Sequence, residues 1–167
     1  MATLLVSNSY LQGYHKVSPL SYLNESFYLF EFLNNFDGKG RVDSRIELYV
    51  SRLALHRLTL LADFLHGFKV YLRQKYGDDY IILINSGYRT PEHNKAVGGV
   101  STSHHLSANA CDFHMRYKHN NELIPIYLVS TWLESYIDSL TRYNDFVVKR
   151  EFITYSTFIH SSNIFCL

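Results

Sequence analysis

The chain has 167 residues, enough for one domain with a substantial core and too few to expect two. Its formal net charge of +1 gives no electrostatic reason to expect nucleic acid or an anionic membrane surface as a partner. Two cysteines, Cys111 and Cys166, are too few for a disulfide framework and read as buried thiols, and no apolar run approaches the roughly 18 residues of a membrane span.

Residues 1–44 are aromatic and rich in Asn and Ser, with room for one short helix over 25–33. They close in a turn signal that includes Asn34, Asn35, Asp37, Gly38 and Gly40. A long apolar-periodic stretch follows over 46–76. Leu48, Leu53, Leu58, Leu61, Phe64, Leu65, Phe68 and Leu72 mark a helix buried over more than one face, stopped at Gly77. Residues 80–84 form a β-branched run that predicts a fully buried strand, delivering Tyr88 and Arg89 at its C-terminal end. Pro91 suits the first turn of a short helix over 92–97, ended by Gly98 and Gly99. Residues 110–116 alternate as a strand, 125–140 form a second amphipathic helix, and 146–148 and 157–161 read as two final strands. The order predicts an α+β single domain, with N-terminal helices packed on a small, mostly antiparallel sheet that carries a metal site.

The chemistry concentrates in residues 86–112. Within this run lie an arginine on a turn, a glycine pair, three histidines and an aspartate. A packing core has no need of so many polar, metal-capable side chains in succession. His105 and Asp112 are seven apart; on one helix they would sit roughly 10 Å apart along the axis, too far to share an ion. An extended strand separates them further. The spacing works if the chain reverses between them, and Ser107, Ala108, Asn109 and Ala110 are small, turn-tolerant residues. A histidine from elsewhere plus water would complete an open zinc site, and His160, alternating with Phe158 near the C-terminus, is the candidate. A His-Asp pair at this spacing is more often two surface polar residues than a ligand pair, and spacing alone leaves His104 as open as His105. His15, His56, His66, His93 and His119 read as helix-surface or loop residues, and His114 as a neighbour of the site.

Ser86-Gly-Tyr-Arg-Thr-Pro-Glu-His-Asn-Lys-Ala-Val-Gly-Gly, then Ser103-x-His105-Leu-x-Ala-x-Ala-x-Asp112, then Phe158-Ile-His160 resemble the ordered motifs of a known family. It is the zinc D-Ala-D-Ala carboxypeptidase and endolysin family that cuts peptidoglycan stem peptides, to which the vancomycin-resistance D,D-dipeptidases belong. The resemblance spans roughly residues 45–163 and leaves 1–44 uncovered, which divides the chain into an N-terminal extension (1–44) and a zinc peptidase-like domain (45–167). It implies that His105, Asp112 and His160 are zinc ligands. It also implies that Arg89 orients substrate and stabilises charge on the carbonyl oxygen, with Ser103 and Tyr88 beside it on the substrate side. The reaction implied is metal-assisted amide hydrolysis in peptidoglycan stem peptides, with a carboxylate moving the proton.

Two departures from the pattern bear on that expectation. Ala108 stands where the family has glycine, which requires a φ below zero at this residue. Thr157 stands where many members place an acidic general base; Glu151 is the nearest acidic candidate and resembles the glutamate that ends a strand in short phage-type members. The alternative is therefore a family-derived protein that keeps the metal site but serves in binding cell wall or in structure, and a partner-binding signalling role is a third. The N-terminus lacks the basic and long apolar regions of a signal peptide. The expectation is thus a monomeric, phage- or prophage-encoded protein, made in the cytoplasm and acting at the bacterial cell wall.

Overall fold

The computed structural model describes residues 13–18, 20–33, 48–143, 150–155 and 158–163; within the strands and at the end of the last helix, some residues are described by their backbone alone. A four-stranded antiparallel sheet is built from β3 (Tyr80–Ser86), β4 (Ala110–Tyr117), β5 (Arg150–Thr154) and β6 (Ile159–Asn163), in the order β3-β4-β6-β5. A separate two-stranded ladder pairs β1 (Tyr14–Val17) with β2 (Leu48–Ser51). The fold is α+β, as the order of elements predicts.

Helices α2 (Arg52–Tyr76) and α4 (Ile126–Tyr143) pack against the sheet. Helix α2 begins where Ser51 Oγ accepts the Ala54 N–H at 3.1 Å, and ends at Gly77, whose φ of 73° closes the last turn. Its Leu58, Leu61, Leu65, Phe68 and Leu72 are fully buried. Each such side chain contributes roughly 1.5–3 kcal/mol relative to exposure. Tyr136 of α4 packs its ring against Phe64 and Phe68, at 5.3 and 5.5 Å between centroids. Trp132 meets Tyr80 of the sheet edge-on.

The apolar stretch at 46–76 is therefore not helical from its start. Residues 48–51 pair with β1, and the N-cap at Ser51 sets the boundary. Strand β3 also differs from expectation, since Tyr80, Ile82 and Ile84 are buried whereas Ile81 and Leu83 are only half-buried. Residues opposed across β3 and β4 repeat this alternation: Ile82 faces Met115 and Ile84 faces Phe113, all buried in the core. The alternate residues of β4, Asp112 and His114 among them, lie on the sheet's other face. That face is where the chemistry lies.

The expected helix over 25–33 shrinks to α1 (Leu29–Phe32). Asn24 Oδ1 accepts the N–H groups of Ser26 and Phe27, at 2.9 and 3.1 Å, which ties those residues into a turn rather than a helix. Phe27, Leu29, Phe32 and Leu33 are nonetheless buried in the same core as α2 and the sheet. The expected strand at 146–148 and the position of Thr157 lie outside the described residues. Cys111 is buried in the core, and Cys166 lies outside the described residues.

Candidate metal centre

Three elements bring the site together. After β3, the chain turns through Gly87, Tyr88 and Arg89 into α3 (Pro91–Ala96), capped by Thr90 Oγ1 accepting the His93 N–H at 3.2 Å. A 3-10 helix, His104–Ser107, then runs into β4, and β6 lies on the far side of β4. Because Asp112 is opposed to His160 in the β4–β6 ladder, the aspartate and the last histidine share one face of the sheet. The 3-10 helix sets His105 against the same face.

The reversal between His105 and Asp112 is made by Ala108, which has φ 57° and ψ 27°. The expectation of a φ below zero there is overturned. The Asn109 N–H donates to the His104 carbonyl at 2.9 Å, and the Ala108 N–H to the His105 carbonyl at 3.3 Å. Closing a helical turn in this way puts the residue after it in the left-handed region. Arg57 of α2 holds the same turn from outside, its Nη1 donating to the Ser107 carbonyl at 2.9 Å.

His105 is buried, 3% exposed, and its orientation is fixed from behind. Its Nδ1 donates to the Gly87 carbonyl at 2.6 Å, since a carbonyl can only accept. In return the Arg89 N–H donates to the His105 carbonyl at 3.0 Å. With the proton on Nδ1, the neutral ring presents a lone pair at Nε2. This Nε2 lies 3.3 Å from His160 Nδ1 and 3.3 Å from Asp112 Oδ1, while His160 Nδ1 lies 2.8 Å from the same Asp112 oxygen. Three donor atoms thus converge within one cluster. For ligand bonds of about 2.0–2.2 Å in tetrahedral geometry, donor atoms are spaced roughly 3.3–3.6 Å apart. The observed spacings are close to that, and slightly tight at one edge. His104, by contrast, is exposed and lies outside the cluster. Of the two adjacent histidines left open by spacing, His105 is the one that joins Asp112 and His160.

The second oxygen of Asp112 is held separately. Arg89 Nη2 donates to Asp112 Oδ2 at 2.8 Å, and Arg89 Nε to Ser86 Oγ at 2.8 Å. Burial alone would push the Asp112 carboxyl up, but the two histidines beside it, His105 and His160, outweigh it and hold the group below the usual carboxylate range. That direction favours the ionised carboxylate, the form that binds a metal ion.

The cluster opens into a cavity of about 680 Å³ that Arg89, Ser103 and His104 also line. Tyr88 is placed elsewhere: it packs against the core, its N–H donating to the Phe32 carbonyl at 2.8 Å. Glu151 is described by its backbone. It is opposed to Ser162, and Ile153 is opposed to His160. Thr154, next in the strand, reaches Ser130 of α4 with its hydroxyl, so Ile153 and Glu151 hold register positions on the sheet face of Asp112 and His160. His114 bonds Asn85 Oδ1 through Nδ1 at 2.7 Å, and burial pushes its ring down from the ordinary value. His66 bonds Ser26 and Glu25, and His119 lies beside Asp78.

Sequence reasoning missed the Gly87 carbonyl, which orients His105, and Asn94, which is buried behind the cavity wall. Gly87 could have been suspected from its place before Tyr88 and Arg89, but its partner is a backbone atom that no residue type advertises.

A model of the family described as peptidase M15 matches residues 53–147 of the chain, more than half its length. The match includes Arg89, His105 and Asp112, and ends before Glu151 and His160. No curated protein and no solved structure matches the chain.

Proposed function

The chain belongs to the peptidase M15 family, and on that premise we propose that it is a zinc-dependent peptidase acting on peptidoglycan stem peptides or cross-bridges, as a D,D-carboxypeptidase or endopeptidase. The observation that carries this reading is the convergence of His105 Nε2, Asp112 Oδ1 and His160 Nδ1 at the floor of an open cavity. Two imidazoles and a carboxylate, with room left over for water and substrate, are the donor set that suits catalytic zinc. Zinc held there supplies Lewis acidity, polarising a scissile carbonyl and making water a competent nucleophile near neutral pH.

The chain's own residues supply the rest. The Gly87 carbonyl keeps the His105 proton on Nδ1, so that Nε2 stays free to bind metal. Arg89 and Ser86 fix the rotation of the Asp112 carboxylate, leaving Oδ1 to the metal and Oδ2 to the guanidinium. A guanidinium carries five N–H donors, and those of Arg89 not used on Ser86 and Asp112 serve the carbonyl oxygen as negative charge develops on it. Ser103, at the cavity wall, positions the substrate backbone.

Glu151 is the general base in this account: it takes a proton from the attacking water and returns it to the leaving amine. Its register position on the face of Asp112 and His160 supports that role. The short late motif of Phe158, Ile159, His160 and Ser161 supports a phage-type lytic enzyme.

The absence of an acidic residue at Thr157 favours a second reading, a metal-bearing wall binder without turnover. The two separate in one comparison. Wild type and Glu151→Gln, both zinc-loaded, are incubated with purified peptidoglycan and the new amino groups are counted. The peptidase reading expects turnover by wild type and a loss of about 10²-fold or more in the variant, with zinc content equal. Two equally inert proteins that still sediment with the wall would establish the binder.

A further inference from the structure

The face of the sheet that carries the metal ligands continues beyond them. Along β4 it presents Asp112, then His114, then Arg116; along β3 it presents Leu83 opposed to His114 and Ile81 opposed to Arg116. On the other side of β4, Leu123 bridges to Arg116 and is 57% exposed. Phe158, which lines the metal cavity, precedes Ile159, the residue opposed to Phe113, and so stands at the register position of His114. The face is therefore continuous with the cavity.

The outward face of an antiparallel sheet ordinarily carries polar residues. Here Ile81, Leu83 and Leu123 are apolar, and none of the three joins the core that α2 and α4 cover. Beside them sits Arg116, half-buried. Its Nη1 donates to the Asn121 carbonyl at 2.8 Å. Asn121 is itself held in a left-handed turn, φ 60°, its N–H donating to the Tyr117 carbonyl at 2.9 Å. No carboxylate of the described residues, that of Glu122 in the same turn included, lies within ion-pair distance of this guanidinium. A guanidinium fixed by a carbonyl and set beside apolar side chains is positioned for an anion that the fold does not supply. Between Arg116 and the metal ligands, His114 is fixed as well, its Nδ1 donating to Asn85 Oδ1 at 2.7 Å.

We propose that this face is a second binding region: it docks the remote part of an extended acidic peptide, and Arg116 receives a carboxylate of that peptide while the scissile bond lies at the metal centre. Four steps of strand separate Arg116 from Asp112, roughly 13 Å between Cα atoms, so the carboxylate lies about three or four extended residues from the bond that is cut. Ile81, Leu83 and Leu123 pack against the aliphatic part of the docked segment, which removes water from around the ion pair and strengthens it. The inference rests on the peptidase reading for the scissile bond, whereas recognition of the carboxylate is a property of binding.

The test is calorimetry on the zinc-loaded full chain. The probes are synthetic peptides ending in D-Ala-D-Ala, with the final bond N-methylated to resist cleavage. Each carries one glutamate two, three or four residues before that bond and is paired with its glutamine counterpart. At one spacing the glutamate peptide binds at least about tenfold more tightly than its counterpart, and added salt shrinks the ratio. Arg116→Gln, with zinc content equal to wild type, brings the ratio to about one, and Arg116→Lys retains part of it. Equal affinity within every pair, no binding of any probe, or a ratio that survives Arg116→Gln would overturn the inference. So would a dimer of the chain that Arg116→Gln dissociates, since the face would then belong to a second copy. Selective binding of the glutamate probe, with no cleavage of its unmethylated form, supports the inference and removes the peptidase reading. Cleavage of both unmethylated peptides with one KM does the reverse.

Discussion

At the scale of single residues, Ala108 shows most clearly what sequence and structure each contribute. It occupies a left-handed conformation in which its Cβ is strained, by roughly 1–2 kcal/mol for an L-residue. Its methyl is also fully buried, worth about 0.8 kcal/mol, and glycine adds about 0.5–1 kcal/mol of chain entropy to be lost on folding. These terms nearly cancel. Ala108→Gly should therefore change stability by less than about 1 kcal/mol in denaturant titration. Ala108→Val, branched at Cβ in the same conformation, should cost more than about 2 kcal/mol. A large loss in the glycine variant would mean that the turn is not left-handed. A second residue makes a pH prediction. Burial, ahead of the negative charge of Asp78, pushes the Tyr80 phenol up to about 12 from its ordinary 10.0. Below pH 10 both folded and unfolded chains hold the proton; between 10 and 12 the unfolded chain releases it first, so stability falls as pH rises. The thermal midpoint of wild type should drop more steeply across that window than that of Tyr80→Phe, and parallel curves would contradict the assignment.

At the scale of elements, the site depends on pairings that residue types only half announce. His105 and Asp112 were legible together only through the ordered motif around them, because a pair at this spacing is by itself more often two surface polar residues. His160 was legible as a histidine alternating with an aromatic, but its place beside Asp112 follows from the β4–β6 register. The choice between His104 and His105 was not legible in the spacing, and only the resemblance of the motif around Ser103 pointed to His105. It is made by the Gly87 carbonyl and by which face of a 3-10 helix meets the sheet. The strand at Leu48–Ser51 was hidden for a related reason: four residues that continue an apolar period look helical until a partner strand is known. Gly87 connects the N-terminal residues to the site. A Cβ there would collide with the Phe32 backbone, where α1 docks and where the Tyr88 N–H finds its acceptor. Gly87→Ala should accordingly destabilise the protein by more than about 2 kcal/mol and weaken metal binding, because it disturbs the carbonyl that orients His105. Unchanged stability and unchanged zinc affinity in that variant would show that α1 does not seat against this turn.

At the scale of the whole molecule, the division of labour between the two faces of the sheet explains most of the fold. One face buries Ile82, Ile84, Phe113, Met115 and Ile159 with α2 and α4, and supplies the stability. The other carries Asp112 and His160 and, at register positions farther along, Glu151. Period-two alternation in β4 made its buried face legible from sequence, whereas the unbroken apolar run of β3 read as buried on both faces. That residues 27–33 belong to the same core was not legible, because nothing in their composition says what they pack against. The central claim is that His105, Asp112 and His160 together hold one metal ion that the peptidase reaction requires. Its most direct measurement is the rate of amino-group release from purified peptidoglycan as chelator-stripped protein is titrated with zinc. The account predicts no release by the stripped protein and a rise that saturates at one zinc per chain, with His105→Ala failing to respond. Full release by the stripped protein, or saturation unaffected by His105→Ala, would contradict it.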